Sequence, residues 1–360
     1  MLADYTTLHL GGPAARFVRA GAEEEIVAAI RAADAEAEPV LVLGGGSNLV
    51  VADQGFPGVV VQLATAGVEV ARADGGTAEV TVAAGHDWDE FVLSCIDAGL
   101  SGVECLSGIP GRAGATPIQN VNAYGQDVAH TITAVRVYDR LTDQITVLPA
   151  AECGFGYRTS VFKRQAAGAG RGAELNPAAA TGRFVVLAVT FALTASPQSA
   201  PVRYGELSRV LGVPDGGTAP LAETRAAVLG LRQGKGMLLD PSDADTRSAG
   251  SFFTNPVVGQ ASYARLAAEG REIPHWPADG DQVKLSAGWL IEQAGFGKGF
   301  RLPADPDGAR VSRKHALALT NPGEGSTAGL LRLARAIQAG VKADFGVELT
   351  AEPVLVGVAL

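Results

Sequence analysis

The sequence predicts an α+β fold with more than one β-sheet. Helix-like and strand-like segments are intermixed along the 360 residues, without the regular strand–helix alternation of a parallel α/β sheet. Hydrophobic residues make up 47% of the chain and charged residues 19%, which is enough apolar material for packed cores. No internal repeat is visible. We therefore expect two or three compact domains.

Local sequence features predict the helices and strands of the first 150 residues. Residues 22–33 form a predicted helix, because three acidic side chains occupy its first turn, where the helix dipole favours them. Residues 87–100 form a second one, since Asp87 can cap its start and Gly99 can end it. Apolar runs typical of strands lie at 39–51, interrupted by glycines, and at 58–63, 79–84, 133–138 and 145–148.

The later elements follow the same logic. Residues 184–193, FVVLAVTFAL, are far fewer than the ~20 that span a bilayer, and their β-branched residues and phenylalanines predict a buried strand. Residues 165–182 are Ala/Gly-rich and predict a mobile surface insertion. The last nine residues resemble a strand. Helices are predicted near 222–232, 286–294 and 327–339, the last two preceded by the caps Ser286 and Ser326.

Charge and composition exclude several classes of protein. The net charge is -9 and no basic stripe is visible, so we expect no nucleic-acid partner. The three cysteines form no CxxC and no zinc spacing, which fits buried thiols in a reducing cytosol. The five histidines show no metal-binding spacing, so we expect no metal. The N-terminus lacks the pattern of a signal peptide, and we expect a cytoplasmic protein without a membrane partner.

The first candidate binding motif is GGGSN at residues 44–48, directly after an apolar run. Glycines at such a turn allow backbone N–H groups to approach a phosphate. The motif is not a Walker A loop, because no GK[ST] follows. It is not a convincing dinucleotide fingerprint either, because a strand rather than a helix is predicted after it. Taken alone, it leaves a structural turn and a phosphate site equally open.

The loop at 107–126 is the second candidate. It carries the glycine-rich segment PGRAGA and then the amides Gln119, Asn120 and Asn122. Amide side chains both donate and accept hydrogen bonds, which suits the edge of a heteroaromatic ring. A long loop in a compact protein is usually functional. Two such glycine-rich segments suit a long dinucleotide such as FAD, whereas the alternative is a loop held to its own backbone by Asn and Gln.

Further candidates stand in short, unusual motifs. Ser251 in AGSFFTNP lies between a glycine and two phenylalanines, on a bend beside an apolar wall. Arg158 lies in the turn of FGYRTSVFK, and Glu352 begins the final strand. Arg232 and Lys235 in GLRQGK are a cationic pair that could hold phosphates. Each has a structural alternative: a bend into a strand, a solvated arginine, an edge-strand charge and a solvated helix end.

At these residues the sequence closely resembles the UDP-N-acetylenolpyruvoylglucosamine reductases. The motifs occur in the family's order along nearly the whole chain: YTTLHLGGPA, GGGSN, IPGRAGATPIQNVNAYG, GYRTSVFK, YGEL, GLRQGK, AGSFFTNP, SAGWLIEQAG and the final glutamate. AGSFFTNP and PIQNVNAYG are the most specific of them. The resemblance implies a two-part FAD-binding module of the vanillyl-alcohol-oxidase (PCMH) type and a C-terminal α+β substrate-binding domain. The implied division is 1–66, 67–220 (with the insertion 165–182) and 221–360.

The resemblance also implies an activity: reduction of UDP-N-acetylglucosamine enolpyruvate to UDP-N-acetylmuramate, a peptidoglycan precursor. FAD would be bound non-covalently and NADPH would be the co-substrate. We expect a monomer with small-molecule partners only. Arg158 and Glu352 would polarise the substrate carboxylate, and Ser251 would be the general acid. The implied substrate contacts are Tyr157, Tyr204, Lys235 and Asn255. The implied cofactor contacts are Gly44, Gly45, Gly46, Ser47, Asn48, Pro110, Gly111, Gly114, Ala115, Gln119, Asn120, Asn122, Tyr124 and Gly125.

Two single-residue departures from the family pattern bear on these roles. Thr254 stands where many members have lysine, and Asn122 replaces a common glycine. Two rival functions have different consequences. A flavin oxidase of the same superfamily would consume oxygen without NADPH, and a regulatory nucleotide-binding module would be colourless. AGSFFTNP and the Arg158/Glu352 pair speak against both.

Overall fold

The chain folds into two compact units. The computed structural model describes residues 1–72, 75–164, 181–305, 308–323 and 325–360. The larger unit comprises residues 14–46 and 56–238, and the smaller unit comprises residues 1–13, 47–55 and 239–360. The predicted three-part division at 66/67 and 220/221 stays a prediction. The predicted insertion 165–182 lies outside the described residues, apart from Thr181 and Gly182.

The strands of the described residues are, in chain order, β1 (Ala14–Ala20), β2 (Val40–Leu43), β3 (Leu49–Val51), β4 (Phe56–Leu63), β5 (Val68–Arg72), β6 (Thr77–Ala83), β7 (Leu100–Ser101), β8 (Asn122–Ala123), β9 (Gln126–Asp127), β10 (Ile132–Asp139), β11 (Gln144–Pro149), β12 (Phe184–Ala195), β13 (Ser248–Ser251), β14 (Val257–Gly259), β15 (His275–Pro277), β16 (Gln282–Leu285), β17 (Arg310–Val311), β18 (Ala318–Thr320) and β19 (Val354–Val356). The α-helices are α1 (Glu23–Ala35), α2 (Trp88–Asp97), α3 (Val161–Arg164), α4 (Gly205–Leu211), α5 (Leu221–Gly234), α6 (Gln260–Ala268), α7 (Ala287–Gln293) and α8 (Thr327–Phe345).

Two sheets form the frame of the larger unit. A parallel sheet has the order β1-β4-β2, and an antiparallel sheet has the order β11-β10-β12-β6-β5, with β7 also paired to β12. Ile26 and Ile30 of α1 are fully buried in the same core as Val59 and Val61 of β4. β12 is buried along most of its length, as its continuous apolar sequence predicts. One buried core therefore includes residues of α1 and of both sheets.

Three ion pairs connect α1 with the β10–β11 hairpin. Arg136 Nε lies 3.1 Å from Glu23, and Arg31 Nε lies 2.8 Å from Asp143; both pairs are exposed. The third pair is buried on the arginine side, since the side chain of Arg140 is 4% exposed. The Nε and Nη2 of Arg140 contact the Asp34 carboxylate at 3.1 and 2.5 Å. Its Nη1 donates to the carbonyls of residues 181 and 182 at 2.8 and 3.0 Å.

The smaller unit is assembled from distant parts of the chain. Its sheets have the orders β13-β18-β17, β14-β16-β15 and β19-β3. Leu8 and Val50 share one buried core with Phe252 and Leu333. Asp53 accepts hydrogen bonds from the first two backbone N–H groups of α8 at 2.8 and 2.9 Å. Residues 47–55 are therefore an integral part of this unit.

The predicted α+β class with several sheets is confirmed. Helices were predicted correctly where caps mark them: the side chains of Asp87, Ser286 and Ser326 each cap the helix that follows. The strand–turn–strand prediction at 39–51 is correct for both strands, but β2 and β3 belong to different units. All three cysteines are buried and free. Among the described helices, none has the length and apolar content that crossing a membrane would require.

Candidate active site

The two predicted glycine-rich segments touch each other through their backbones. A Cβ atom built on Gly45 would lie 2.6 Å from the Cα of Gly111, far inside any normal contact. A Cβ built on Gly114 would lie 2.4 Å from that of Ala84. Both positions therefore require glycine. Two glycine-rich backbone segments in contact suit a bound diphosphate, because no side chain blocks the approach of an anion to their N–H groups.

Backbone hydrogen bonds fix the 107–126 loop to the segment that leads into α2. Gly111 accepts from the N–H of Trp88 at 3.1 Å, and the N–H of Ala113 donates to His86 at 2.9 Å. The N–H of Gly114 donates to Ala84 at 2.9 Å. The loop is long, but this part of it has a defined geometry set by the core beneath it.

The three amides of the loop contact protein groups. Asn120 Nδ2 donates to Gly156 O at 3.1 Å, and its Oδ1 accepts from Ala129 N–H at 3.1 Å. Asn122 Nδ2 donates to Asp127 Oδ1 at 2.5 Å. Gln119 Oε1 accepts from a lysine ammonium at 3.3 Å. The side chains of Asn120 and Asn122 thus connect the loop to residues outside it, at 127–129 and 156, and their predicted contacts with the cofactor stay predictions.

Arg158 lies at the tip of a two-residue turn attached to this loop. Gly156 and Thr159 exchange backbone hydrogen bonds at 3.0 and 3.2 Å, which closes the turn around Tyr157 and Arg158. Ser160 Oγ donates to Ile118 O at 2.6 Å. Arg158 Nη1 contacts the carbonyl oxygen of residue 122 at 3.4 Å. The sequence placed the loop and the arginine on separate motifs, and the structure brings them together.

Backbone strain is concentrated here. Arg158 has φ +53°, Asn120 +45° and Tyr124 +48°, the left-handed region that non-glycine residues rarely occupy. Such conformations persist when the surrounding structure holds them, and they cluster at functional sites. Three predicted site residues therefore carry strain, which supports a role in binding or catalysis.

A cluster of aromatic and charged side chains lies beside the loop. The rings of Tyr124 and Tyr204 meet edge to face at 5.4 Å. The Lys235 ammonium lies 5.4 Å from the centre of the Tyr124 ring and 5.9 Å from that of Tyr204, and it forms an ion pair with Glu206. Burial raises the pKa of Tyr124 to about 12, so its hydroxyl stays protonated. The predicted Tyr204 and Lys235 are therefore neighbours in space.

The position of Lys235 at the end of α5 depends on an anchor earlier in that helix. Arg225 contacts both carboxylate oxygens of Asp89 at 2.6 and 2.7 Å. Asp89 also accepts from the N–H of Gly108, at the start of the loop, at 2.6 Å. Burial opposes the ionisation of Asp89, but these hydrogen bonds outweigh it and its pKa lies below the usual value. Asp89 thus ties α5 and the loop to the same helix turn.

In the smaller unit, the structure brings Ser251 and Glu352 together. Ser251 ends β13 and pairs with Ala318 of β18. The N–H of the next residue, Phe252, donates to Leu317 O at 2.7 Å, and the carbonyl of Phe252 accepts from the N–H of Glu352 at 2.9 Å. Phe252 and the adjacent Phe253 are each 1% exposed. The serine and the glutamate, 101 positions apart, are therefore held on neighbouring backbone segments next to two buried phenylalanines.

The remaining predicted residues of this unit have structural partners. Asn255 Oδ1 accepts from the N–H of Ala287 at 3.0 Å, at the start of α7. The backbone carbonyl of Asn48 accepts from Val354 at 2.9 Å, two residues after Glu352. Thr254, which stands where a lysine is common, places its hydroxyl 3.4 Å from the carbonyl oxygen of residue 350. The predicted meeting of Arg158 with Ser251 and Glu352 stays a prediction.

Sequence reasoning missed Glu206 and Asp89. Glu206 follows Tyr204 by two positions in YGEL, and its only signal was its place in that motif. Asp89 looked like an ordinary acid in the first turn of α2. Across the described residues, no group of three or more His, Cys, Asp or Glu is arranged to hold a metal ion.

Comparison with known proteins gives matches over both units. The family described as "UDP-N-acetylenolpyruvoylglucosamine reductase, C-terminal domain" matches residues 240–356, and "FAD binding domain" matches residues 14–147. The UDP-N-acetylenolpyruvoylglucosamine reductase of Thermobifida fusca is 53% identical over 100% of this chain and 97% of its own. That of Salinispora arenicola is 52% identical over 100% and 95%. The predicted FAD-binding module and FAD as the cofactor are confirmed.

A solved structure agrees with these matches. The UDP-N-acetylenolpyruvylglucosamine reductase of Thermus caldophilus is 27% identical, with a TM-score of 0.62, over 99% of this chain and 97% of its own. The similarity therefore extends over the whole chain in both sequence and fold.

Proposed function

Since this chain belongs to the UDP-N-acetylenolpyruvoylglucosamine reductase family and is thus an oxidoreductase, we propose that it reduces UDP-N-acetylglucosamine enolpyruvate to UDP-N-acetylmuramate, with NADPH as the electron donor. The observation that carries the proposal is the backbone hydrogen bond between Glu352 and Phe252, which holds Ser251 beside Glu352. A proton donor and a carboxyl group on adjacent backbone segments suit the protonation of a carbon next to a carboxylate.

Each proposed catalytic residue has one task. Negative charge develops on the substrate carboxylate when a hydride adds to the alkene carbon. The Arg158 guanidinium and the Glu352 carboxyl group would stabilise that charge, since fixed polar groups act most strongly away from water. The Ser251 hydroxyl would then donate a proton to the adjacent carbon. That centre is carbanion-like and basic enough to accept a proton even from a hydroxyl group.

The larger unit fits FAD and a nucleotide substrate. FAD supplies the hydride-transfer chemistry when it is bound. The touching backbones of Gly45 and Gly111 would hold its diphosphate. Lys235, with Tyr204 beside it, would bind the substrate diphosphate, because a flexible ammonium is a good phosphate ligand. We propose that the ion pair of Lys235 with Glu206 keeps the ammonium in place until substrate arrives.

The two half-reactions test this function. NADPH should bleach the flavin absorbance of the purified protein in the absence of oxygen, and UDP-N-acetylglucosamine enolpyruvate should restore it. Oxygen consumption with an alcohol and no need for NADPH would contradict the proposal, and so would a colourless protein. Acid or heat should release the chromophore into the supernatant, because we propose that FAD is not covalently bound.

We further propose a monomeric cytoplasmic enzyme whose partners are small molecules. The net charge of -9 supports the absence of a nucleic-acid partner, and the buried free cysteines fit a reducing compartment. Light scattering of the purified protein tests the monomer: a mass near 36.8 kDa is expected, and twice that mass would refute it.

A further inference from the structure

We propose that the Arg112 side chain binds the diphosphate of FAD, which adds a full positive charge to the backbone groups of the glycine-rich segments. This rests on the FAD site proposed above. Arg112 directly follows Gly111, whose Cα faces Gly45. A Cβ built on Gly44 would lie 3.5 and 3.6 Å from the Cβ and Cγ of Arg112. The stem of this arginine therefore lies along the first glycine turn.

The guanidinium of Arg112 is only weakly engaged in the protein. Its Nη1 lies 3.6 Å from Asp87 Oδ2, which is longer than a hydrogen bond, and the two side chains are 36% and 38% exposed. An ion pair of this kind in contact with water contributes little to stability. The guanidinium can therefore leave Asp87 for a stronger anion at little cost.

A diphosphate is that stronger anion. The guanidinium is planar, and its parallel N–H groups match two phosphate oxygens at once. Backbone N–H groups offer only partial charges, whereas the arginine neutralises a whole charge of the dianionic diphosphate. The proposed ligand also explains why an arginine can stand in this glycine-rich segment, beside a turn that otherwise presents backbone alone.

The Asp87 carboxylate competes with the diphosphate for the Arg112 guanidinium, and this competition makes the proposal testable. Its Oδ1 caps α2 by accepting from the N–H groups of Asp89 and Glu90 at 3.0 and 3.2 Å. Asparagine caps a helix as well as aspartate does. Asp87→Asn should therefore keep the cap while it removes a negative charge that competes for Arg112. Loss of Arg112 and loss of the Asp87 charge should change FAD affinity in opposite directions.

The test is titration of the apoprotein with FAD, followed by quenching of flavin fluorescence. Arg112→Ala should weaken binding by roughly ten- to a hundred-fold, Arg112→Lys by less, and Asp87→Asn should tighten it. Arg136→Ala is the matched control, since that arginine also pairs with an exposed carboxylate of the same unit. It should bind FAD as the unsubstituted protein does. Higher salt should weaken FAD binding less in Arg112→Ala than in the unsubstituted protein.

Two smaller probes separate charge recognition from a structural effect. ADP carries the diphosphate, so the dissociation constant of ADP, obtained from its competition with FAD, should rise in Arg112→Ala by a similar factor. Riboflavin carries no phosphate, so its binding should not change. Unchanged FAD affinity in Arg112→Ala overturns the proposal, and so does an equal loss for riboflavin. Failure of the unsubstituted protein to bind FAD would instead refute the FAD site itself.

Discussion

Replacing Arg140 by methionine tests whether its buried ion pair holds the larger unit together. Methionine keeps most of the apolar stem, so the change removes mainly the charge and four hydrogen bonds. Two of these go to Asp34 and two to the buried carbonyls of residues 181 and 182. Loss of one partner from a buried pair typically costs 3–5 kcal/mol, and unpaired buried carbonyls add to that. Asp34 is 24% exposed and can be partly rehydrated. We therefore expect Arg140→Met to lower the free energy of unfolding by about 3–5 kcal/mol.

Arg136→Met is the control. That arginine lies on β10, the strand that Arg140 directly follows, and it also pairs with α1, but its side chain is 44% exposed. Its substitution should lower the free energy of unfolding by about 1 kcal/mol or less. Urea denaturation followed by circular dichroism gives both values. If the two variants lose equal stability, or if Arg140→Met loses less than about 1 kcal/mol, the reasoning about burial is wrong.

Three further predictions concern catalysis and pH. Ser251→Ala should still bind FAD and be reduced by NADPH, while reoxidation by substrate slows about a hundred- to ten-thousand-fold; stopped-flow measurement that shows normal reoxidation would remove Ser251 as the acid. Tyr204→Phe should raise the apparent substrate Kd more than it slows flavin reduction; an unchanged Kd would exclude its hydroxyl from substrate binding. The hydrogen bonds of Arg183 hold the pKa of Asp139 at about 2, below the usual value of an aspartate. This interaction should therefore add about 2 kcal/mol to the free energy of unfolding above pH ~4, and this contribution should be lost as the pH falls towards 2. Arg183→Met should make the free energy of unfolding depend less on pH in that range. An unchanged pH dependence would contradict the assignment.

The sequence predicted the elements whose signals are local. Caps at Asp87, Ser286 and Ser326 lie next to the helices they start, so a short window contains the whole signal. The strands β14, β15 and β16 were not predicted because each has only three or four residues, and β14 and β15 are largely exposed.

The roles of the predicted site residues stay predictions, but the structure shows protein contacts that the sequence does not reveal. The two polar side-chain atoms of Asn120 contact the backbone at Gly156 and Ala129, segments that no local pattern connects to this residue. The link between Ser251 and Glu352 depends on a hydrogen bond between segments a hundred residues apart. No periodicity or spacing encodes such a contact, so only the resemblance to the family pointed to it before the structure did.

The discontinuous smaller unit has a consequence for synthesis on the ribosome. The larger unit is complete once residue 238 has emerged. Leu8 and Val50 emerge early, but they share a core with residues of α8. Likewise, β3 cannot pair until β19 has been synthesised. Thr7 likewise donates to Ser248 O at 2.6 Å, across 241 positions. These apolar segments must therefore stay without their native partners until α8 and β19 have been synthesised, so the nascent chain exposes apolar surface of the kind that chaperones shield.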